Sequence, residues 1–274
     1  MKKIYLVGLM LMVGFLFATV TPFTDGFGAS DDPGWSAPTF SAGSADSGFT
    51  RDFDISTNSA IPALPSGVGD GHVLKVEMNA TAGIVQNGYI ECGGDDWDNY
   101  QVEWWQCMFV NPANTHGTTQ FGGVGIRTNG YPTQGYYAYI RTDYSSTYGN
   151  YMKFLKNGNE VKRLYFCYAD KTKTPDIILG QDDQGNYLPT TNLWIHYKLA
   201  ANGNVILFYV NDMENPVYTY VDTDSPVASG KVAIFLDDGW DSAAGSDNVL
   251  MLIEDMVVSE YTPPTAAGDW NLFR

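Results

Sequence analysis

The stretch that decides the fold runs from Trp194 to Tyr261: "WIHYKLAANGNVILFYVND" (194–212), "SGKVAIFLDDG" (229–239) and "VLMLIEDMVVSEY" (249–261). β-Branched and aromatic residues fill these runs, and such residues pack well on a pleated, half-buried surface. Asn202-Gly203-Asn204 separates two of the runs with residues that tolerate the positive φ of a tight hairpin turn. Working upstream, similar short runs recur at His72–Ala80, Ile84–Cys92, Tyr100–Val110, Gly122–Thr128, Tyr136–Thr142, Tyr151–Lys156, Val161–Tyr168 and Ile177–Leu179. Downstream they are Trp194–Ala200, Val205–Val210, Val217–Tyr220, Lys231–Leu236 and Leu250–Tyr261. Asn157-Gly158-Asn159 and Asp183-Gln184-Gly185-Asn186 supply further turns. No segment beyond the N-terminus keeps a helical period over three turns. The expectation is an all-β antiparallel sandwich.

Lys2 and Lys3 precede an apolar run, Ile4–Phe17, which small or polar residues follow. That layout predicts an export signal over residues 1–20, with a retained membrane anchor as the competing reading. Residues 21–261 then form one domain, and 262–274, opening with Pro263-Pro264, a C-terminal extension. Residues 24–66 are rich in Gly, Ser, Asp and Pro and predict an irregular arm with short strands.

The 31 acidic residues outnumber the 15 basic ones, giving a net charge of −16. Such a chain repels phosphate backbones and anionic headgroups, so nucleic acid and membrane surfaces are excluded as main partners. The acidity also suits an extracellular medium or a divalent cation. Cys92, Cys107 and Cys167 are the three cysteines. Cys92–Cys107 is the preferred bridge, although no bridge at all stays open, since connectivity cannot be read from sequence. Scattered His72, His116 and His196, with no Cys-x-x-Cys, argue against zinc.

Alternation along Tyr100–Val110 places Tyr100, Val102, Trp104, Gln106, Met108 and Val110 on one face. Gln101, Glu103, Trp105, Cys107 and Phe109 fall on the other, a mixed face that resembles a groove more than a solvated surface. Extending the assignment puts Glu103, Trp105, Arg127, Tyr137, Tyr139 and Arg141 on a common surface.

Several motifs now stand in order: "DGFGASDDPGW" (25–35), "FGGVGIRTNG" (121–130), "GYYAYIRTD" (135–143) and the three runs quoted first. Together they resemble the concanavalin A-like lectin/glucanase superfamily, particularly its laminin-G-like and 3-keto-disaccharide-hydrolase-like branches. The resemblance implies a jelly-roll sandwich and carbohydrate recognition. The glucanases of that superfamily carry Glu-x-Asp-x-Glu or Glu-x-Asp-x-x-Glu, and this chain has neither: Trp-Trp-Gln follows Glu103. The Arg-rich strand and Gln-x-His of its alginate-lyase branch are missing too. Glycoside hydrolysis needs two carboxylates at the scissile bond, so no catalytic residue is assigned.

Sugar rings stack their C–H faces on aromatic rings and offer hydroxyls to charged groups. The set Glu103, Trp105, Arg127, Tyr137, Tyr139 and Arg141 supplies both, and Trp240 adds an aromatic in the acidic loop 237–241. The expected partner is therefore a poly- or oligosaccharide, bound without catalysis outside the cell. The alternatives are a glycoside-active enzyme, hydrolase or lyase, and a structural or adhesion domain whose aromatics are core. In the closing strand, Glu254 and Asp255 point to opposite apolar faces, so at least one needs a counter-charge. The resembled families often hold a structural calcium at this place. Glu254 occupies the position, with Asp25 as its companion.

Overall fold

The computed structural model describes residues 20–30, 32–40, 48–77, 87–110, 119–141, 147–240 and 249–263. Residues 1–19 of the expected signal, residues 264–274 of the expected extension, His116 and residues 241–248 lie outside them; Val20, expected as the last residue of the signal, is buried in the core. Among the described residues fifteen strands form two antiparallel sheets, and the jelly-roll sandwich expected from the sequence is the fold observed. The larger sheet contains β1 (Phe23–Asp25), β3 (Gly48–Asp54), β4 (His72–Glu77), β6 (Tyr100–Val110), β11 (Trp194–Asn202), β12 (Val205–Val210), β13 (Tyr218–Val221) and β15 (Val249–Glu260). The smaller contains β2 (Thr39–Phe40), β5 (Asn87–Cys92), β7 (Thr119–Thr128), β8 (Tyr136–Arg141), β9 (Asn150–Lys156), β10 (Asn159–Cys167) and β14 (Lys231–Trp240). The arm supplies β1, β2 and β3 as short edge pieces, and among the described residues Ile177–Leu179 forms no strand.

Period-two alternation builds the core. Trp104 from β6 stacks at 5.5 Å on Tyr197 of β11, and both face Val124, Ile126, Ala138 and Ile234 of the opposite sheet. Gln106 is buried among them, yet it accepts from Trp104 Nε1 at 2.9 Å and donates to Gly122 O at 3.4 Å. A buried amide is tolerated when its partners lie within reach.

The expected Cys92–Cys107 bridge is not formed; all three cysteines are free and buried. Cys92 belongs to β5 of one sheet and Cys107 to β6 of the other. Cys107 packs with Phe109, Val73 and Leu252 in a cluster on the far side of its sheet. Facing sheets stand about 10 Å apart, beyond the span of a disulfide. Burial pushes the Cys92 thiol up to about 11 and Cys107 up to about 12.

Candidate functional site

The outer face of the seven-stranded sheet carries the densest convergence of aromatic and charged side chains. On β8, Tyr136, Ala138 and Ile140 point into the core, and Tyr137, Tyr139 and Arg141 point outward. β7 has glycine where its own outward residues would stand. A Cβ on Gly125 would lie 2.5 Å from the Tyr137 ring. In register, Gly123 sits between Phe235 of β14 and Tyr139 of β8. With no side chain between them, those two rings stack across β7 at 4.9 Å. Tyr131, from the β7–β8 loop, folds back onto this floor and stacks on Phe235 at 4.8 Å.

Asp237 completes the floor. Its Oδ2 accepts from the hydroxyls of Tyr131 and Tyr139, and its Oδ1 is buried with no hydrogen-bond partner among the described residues. Burial pushes this carboxyl up to about 6, against the opposing hydrogen bond from Tyr131. The centre of the face is thus closed by its own aromatics: Tyr137 and Phe235 are inaccessible.

The rim toward β9 and β10 is more open. Alternation on β9 sends Tyr151 and Lys153 outward, opposite Tyr165 and Arg163 of β10. Arg141 donates to Tyr151 Oη at 3.1 Å. Tyr165 and Tyr168 are half-buried and stacked at 4.1 Å, continuing an aromatic row from Tyr151 at 5.5 Å.

The predicted surface therefore divides. Tyr137, Tyr139 and Arg141 share this outer face. Glu103 and Trp105 lie on the outer side of the other sheet, where His196 stacks on Trp105 at 4.6 Å and pairs with Glu103 at 3.0 Å. The hydrogen bond from His196 holds the Glu103 carboxyl below its usual range, against burial. Strand alternation assigns faces within a strand, but it does not say which sheet a strand joins.

Arg127 is not on a binding surface. A bulge opposite Lys231–Ala233 and a φ of 53° turn its side chain toward the end of the core. There its guanidinium donates to Asp98 O, Gly203 O and Val227 O at 2.6–2.8 Å. The expected loop 237–241 is in fact strand as far as Trp240, because β14 goes on pairing with β7, with a register shift between Asp238 and Trp240. The side chain of Trp240 lies outside the described residues. Phe121, Tyr131, Tyr151, Lys153, Arg163, Tyr165, Tyr168, Phe235 and Asp237 belong to this face beyond the predicted set. Alternation carried through β9, β10 and β14 reaches all of them except Phe121, Tyr131 and Tyr168.

At the closing strand, β4 pairs with Leu250–Ile253 and β1 with Met256–Val258; Glu254 and Asp255 lie between these pairings, where a bulge against β6 begins just after Glu254. Asp255 adopts a φ of 47° and accepts from Gly69 N at 2.9 Å. Glu254 is 1% exposed, and among the described residues neither carboxylate oxygen has a hydrogen-bond partner of normal geometry. Burial pushes its carboxyl up to about 8, aided by Asp255 and Asp70; the backbone N–H of Asp70 offsets part of this. Such an orphaned carboxyl fits a hard cation.

Asp25 does not fit. It binds Arg51 through both oxygens at 2.8 Å and accepts from Trp35 Nε1 at 2.7 Å and Phe27 N at 2.7 Å. Its charge is already matched by Arg51, while it lies near enough to Glu254 to help raise that carboxyl's pKa. Among the described residues no three His, Cys, Asp or Glu side chains converge on a metal position.

No protein-family model and no curated protein matches the chain. Similar solved structures include a Bacillus licheniformis β-glucanase, at 12% identity and a TM-score of 0.48, covering 88% of this chain and 98% of that one. A Bacillus subtilis protein of unknown function with a galectin-like fold is 12% identical, with a TM-score of 0.48 over 90% and 98%. The Bacillus subtilis carbohydrate-binding module CBM66 is 13% identical, with a TM-score of 0.42 over 68% and 86%. Likeness at this level says nothing of what this chain binds, so the function is argued from its own residues.

Proposed function

We propose that this is an exported protein that binds poly- or oligosaccharide, without cleaving it, on the outer face of the seven-stranded sheet. The observation that carries the reading is the half-buried row Tyr165–Tyr168, continuous with Tyr151 and bordered by Arg141, Lys153 and Arg163. Rings offer apolar faces to sugar C–H groups and cations offer donors to sugar oxygens. Lys2-Lys3 and the apolar run behind them support export.

The absence of catalysis rests on register. Asp237 pairs with Asn87, and Glu91, the next carboxylate along that ladder, pairs with Ala233. Four residues along a strand separate them by about 13 Å, beyond the roughly 5–9.5 Å that glycosidase carboxylates span. Glu91 also already accepts from Gly130 N at 3.0 Å. A bound calcium at Glu254 belongs to the same reading, as a structural ion that closes the bulge and not as a reactant.

Affinity gel electrophoresis over a polysaccharide panel tests the reading. Retention is expected on at least one polysaccharide, and Tyr165→Ala with Tyr168→Ala should weaken it about tenfold, the scale of one or two lost ring contacts. Retention on none would overturn the reading. Release of reducing ends, abolished by Asp237→Asn, would replace it with the enzyme.

A further inference from the structure

Basic residues are unevenly placed along this chain. Seven of the 15 Lys and Arg lie between residues 141 and 173, against three acids, Asp143, Glu160 and Asp170. That is an excess of four positive charges inside a chain of net charge −16. The segment is the β9–β10 hairpin with its flanks, whose outward side forms the open rim of the face described above; Lys156 turns to the other side, where it pairs with Asp222 at 2.8 Å.

Geometry concentrates the charge further. Lys153 stands directly across from Arg163 in register. Like charges opposite one another on a ladder are destabilising, so this pairing needs a reason. Among the described residues one carboxylate serves both cations: Glu160 lies 2.8 Å from Arg163 and 3.8 Å from Lys153. Arg163 covers Tyr151 at 4.4 Å, and Lys153 lies 4.7 Å from the centre of the Phe121 ring. Burial holds the Lys153 ammonium below its usual range; Glu160 opposes that shift, and Arg163 and Arg141 reinforce it. Beyond the edge of β10, Lys173 lies 5.7 Å from the Tyr168 ring. There Lys171, Lys173, Tyr168, Tyr187 and one carboxylate, Asp182, line a cavity of about 160 Å³, and Asp176 accepts from Tyr165 N at 2.8 Å beside it.

A neutral glycan gives no use to a second cation that repels the first. An anionic one does: a carboxylate or sulfate ester between Lys153 and Arg163 would relieve the repulsion and gain charge-assisted hydrogen bonds. We propose that the glycan is an anionic polysaccharide, seated along Tyr151, Tyr165 and Tyr168, with its charged groups on Lys153, Arg163 and the Lys171–Lys173 cavity. This rests on the carbohydrate-binding reading and names the substrate class. A nucleic acid would bring anionic groups as well, and the oligonucleotide arm of the experiment separates the two.

The experiment compares the full chain with a Lys153→Gln/Arg163→Gln variant. The probes are two uronate polymers (alginate and polygalacturonate), sulfated carrageenan, neutral laminarin and xylan, and a single-stranded oligonucleotide. At least about tenfold preference for an anionic polymer is expected, lost in the variant and weakened by about 0.5 M NaCl. The uronate and sulfate arms identify which anionic group is read. Equal affinity for neutral and anionic glycans, unaffected by salt and by the double substitution, would overturn the inference and leave the binding reading standing. No retention of any polysaccharide would overturn both. Oligonucleotide binding as tight as glycan binding would overturn the inference, since a bare charge patch would then suffice. Both side chains are partly exposed, and the salt titration of the unaltered chain decides the matter should the variant misfold.

Discussion

Burying the Glu254 carboxyl with no well-formed hydrogen bond to either oxygen among the described residues sets a free-energy cost that depends on its protonation. Its pKa stands at about 8 in the fold, against roughly 4.3 in an unfolded chain. The folded state therefore binds the extra proton between those values, and stability falls as pH rises through that window, by up to about 1.4 kcal/mol per pH unit. Below the lower value the term is fully favourable; above about 8 it has been lost. Asp237 adds a smaller slope of the same sign, ending at about 6. With a chelator present, thermal melts at pH 5 and pH 8 should show the decline, and Glu254→Gln should flatten it above pH 6. Calcium should raise the melting temperature of the unaltered chain at pH 8 and leave Glu254→Gln unmoved. An equal calcium response in both would remove Glu254 from the cation site. Gly69 fits the same picture: at a φ of 50°, a Cβ there would collide with Glu254 Oε1, so the loop closes only over a residue without one.

Among the elements, β7 illustrates how far local pattern reaches and where it fails. Val124 and Ile126 were legible as core from alternation, and both are inaccessible in the main cluster between the sheets. Arg127 obeys the same alternation in sequence yet turns inward at a bulge, because the ladder skips from Ala233 to Lys231 opposite it. Its guanidinium then satisfies carbonyls from three separate loops, at Asp98, Gly203 and Val227. A lysine offers a compact point charge and cannot span three acceptors. Arg127→Lys should therefore lower stability by about 3 kcal/mol, the scale of buried carbonyls left unpaired, read as a shifted urea midpoint at unchanged slope. A shift under about 0.5 kcal/mol would mean that the clip is redundant. Strand existence, turn chemistry and inward faces were legible because each depends on neighbours in sequence. Sheet membership was not: Trp105 and Tyr139 both read as outward aromatics, and nothing local says that they face opposite directions. The Asp25–Arg51 pair, 26 residues apart, was equally hidden, as was the stacking of Phe235 on Tyr139 over a glycine from a third strand.

Across the whole molecule, the electrostatics of folding and of the proposed binding oppose each other. A net charge of −16 on one domain repels itself, and salt screens that repulsion over a Debye length of about 10 Å at 0.1 M. Raising NaCl from about 10 mM to about 200 mM should therefore raise the melting temperature by a few degrees. The same salt should weaken attachment to an anionic polymer, since that attraction is carried by the positive hairpin alone. Lys153 sits on both sides of the opposition: Arg163 faces it and Arg141 adds to the repulsion, while Glu160 at 3.8 Å returns part of the loss. Lys153→Gln should consequently leave the melting temperature unchanged or slightly higher in low salt while reducing glycan affinity. A fall of several degrees would instead make Lys153 a structural ion-pair partner of Glu160. A melting temperature that drops with salt would show that attractive pairs such as Arg51–Asp25 and Lys156–Asp222, both at 2.8 Å, outweigh the self-repulsion of the acidic surface.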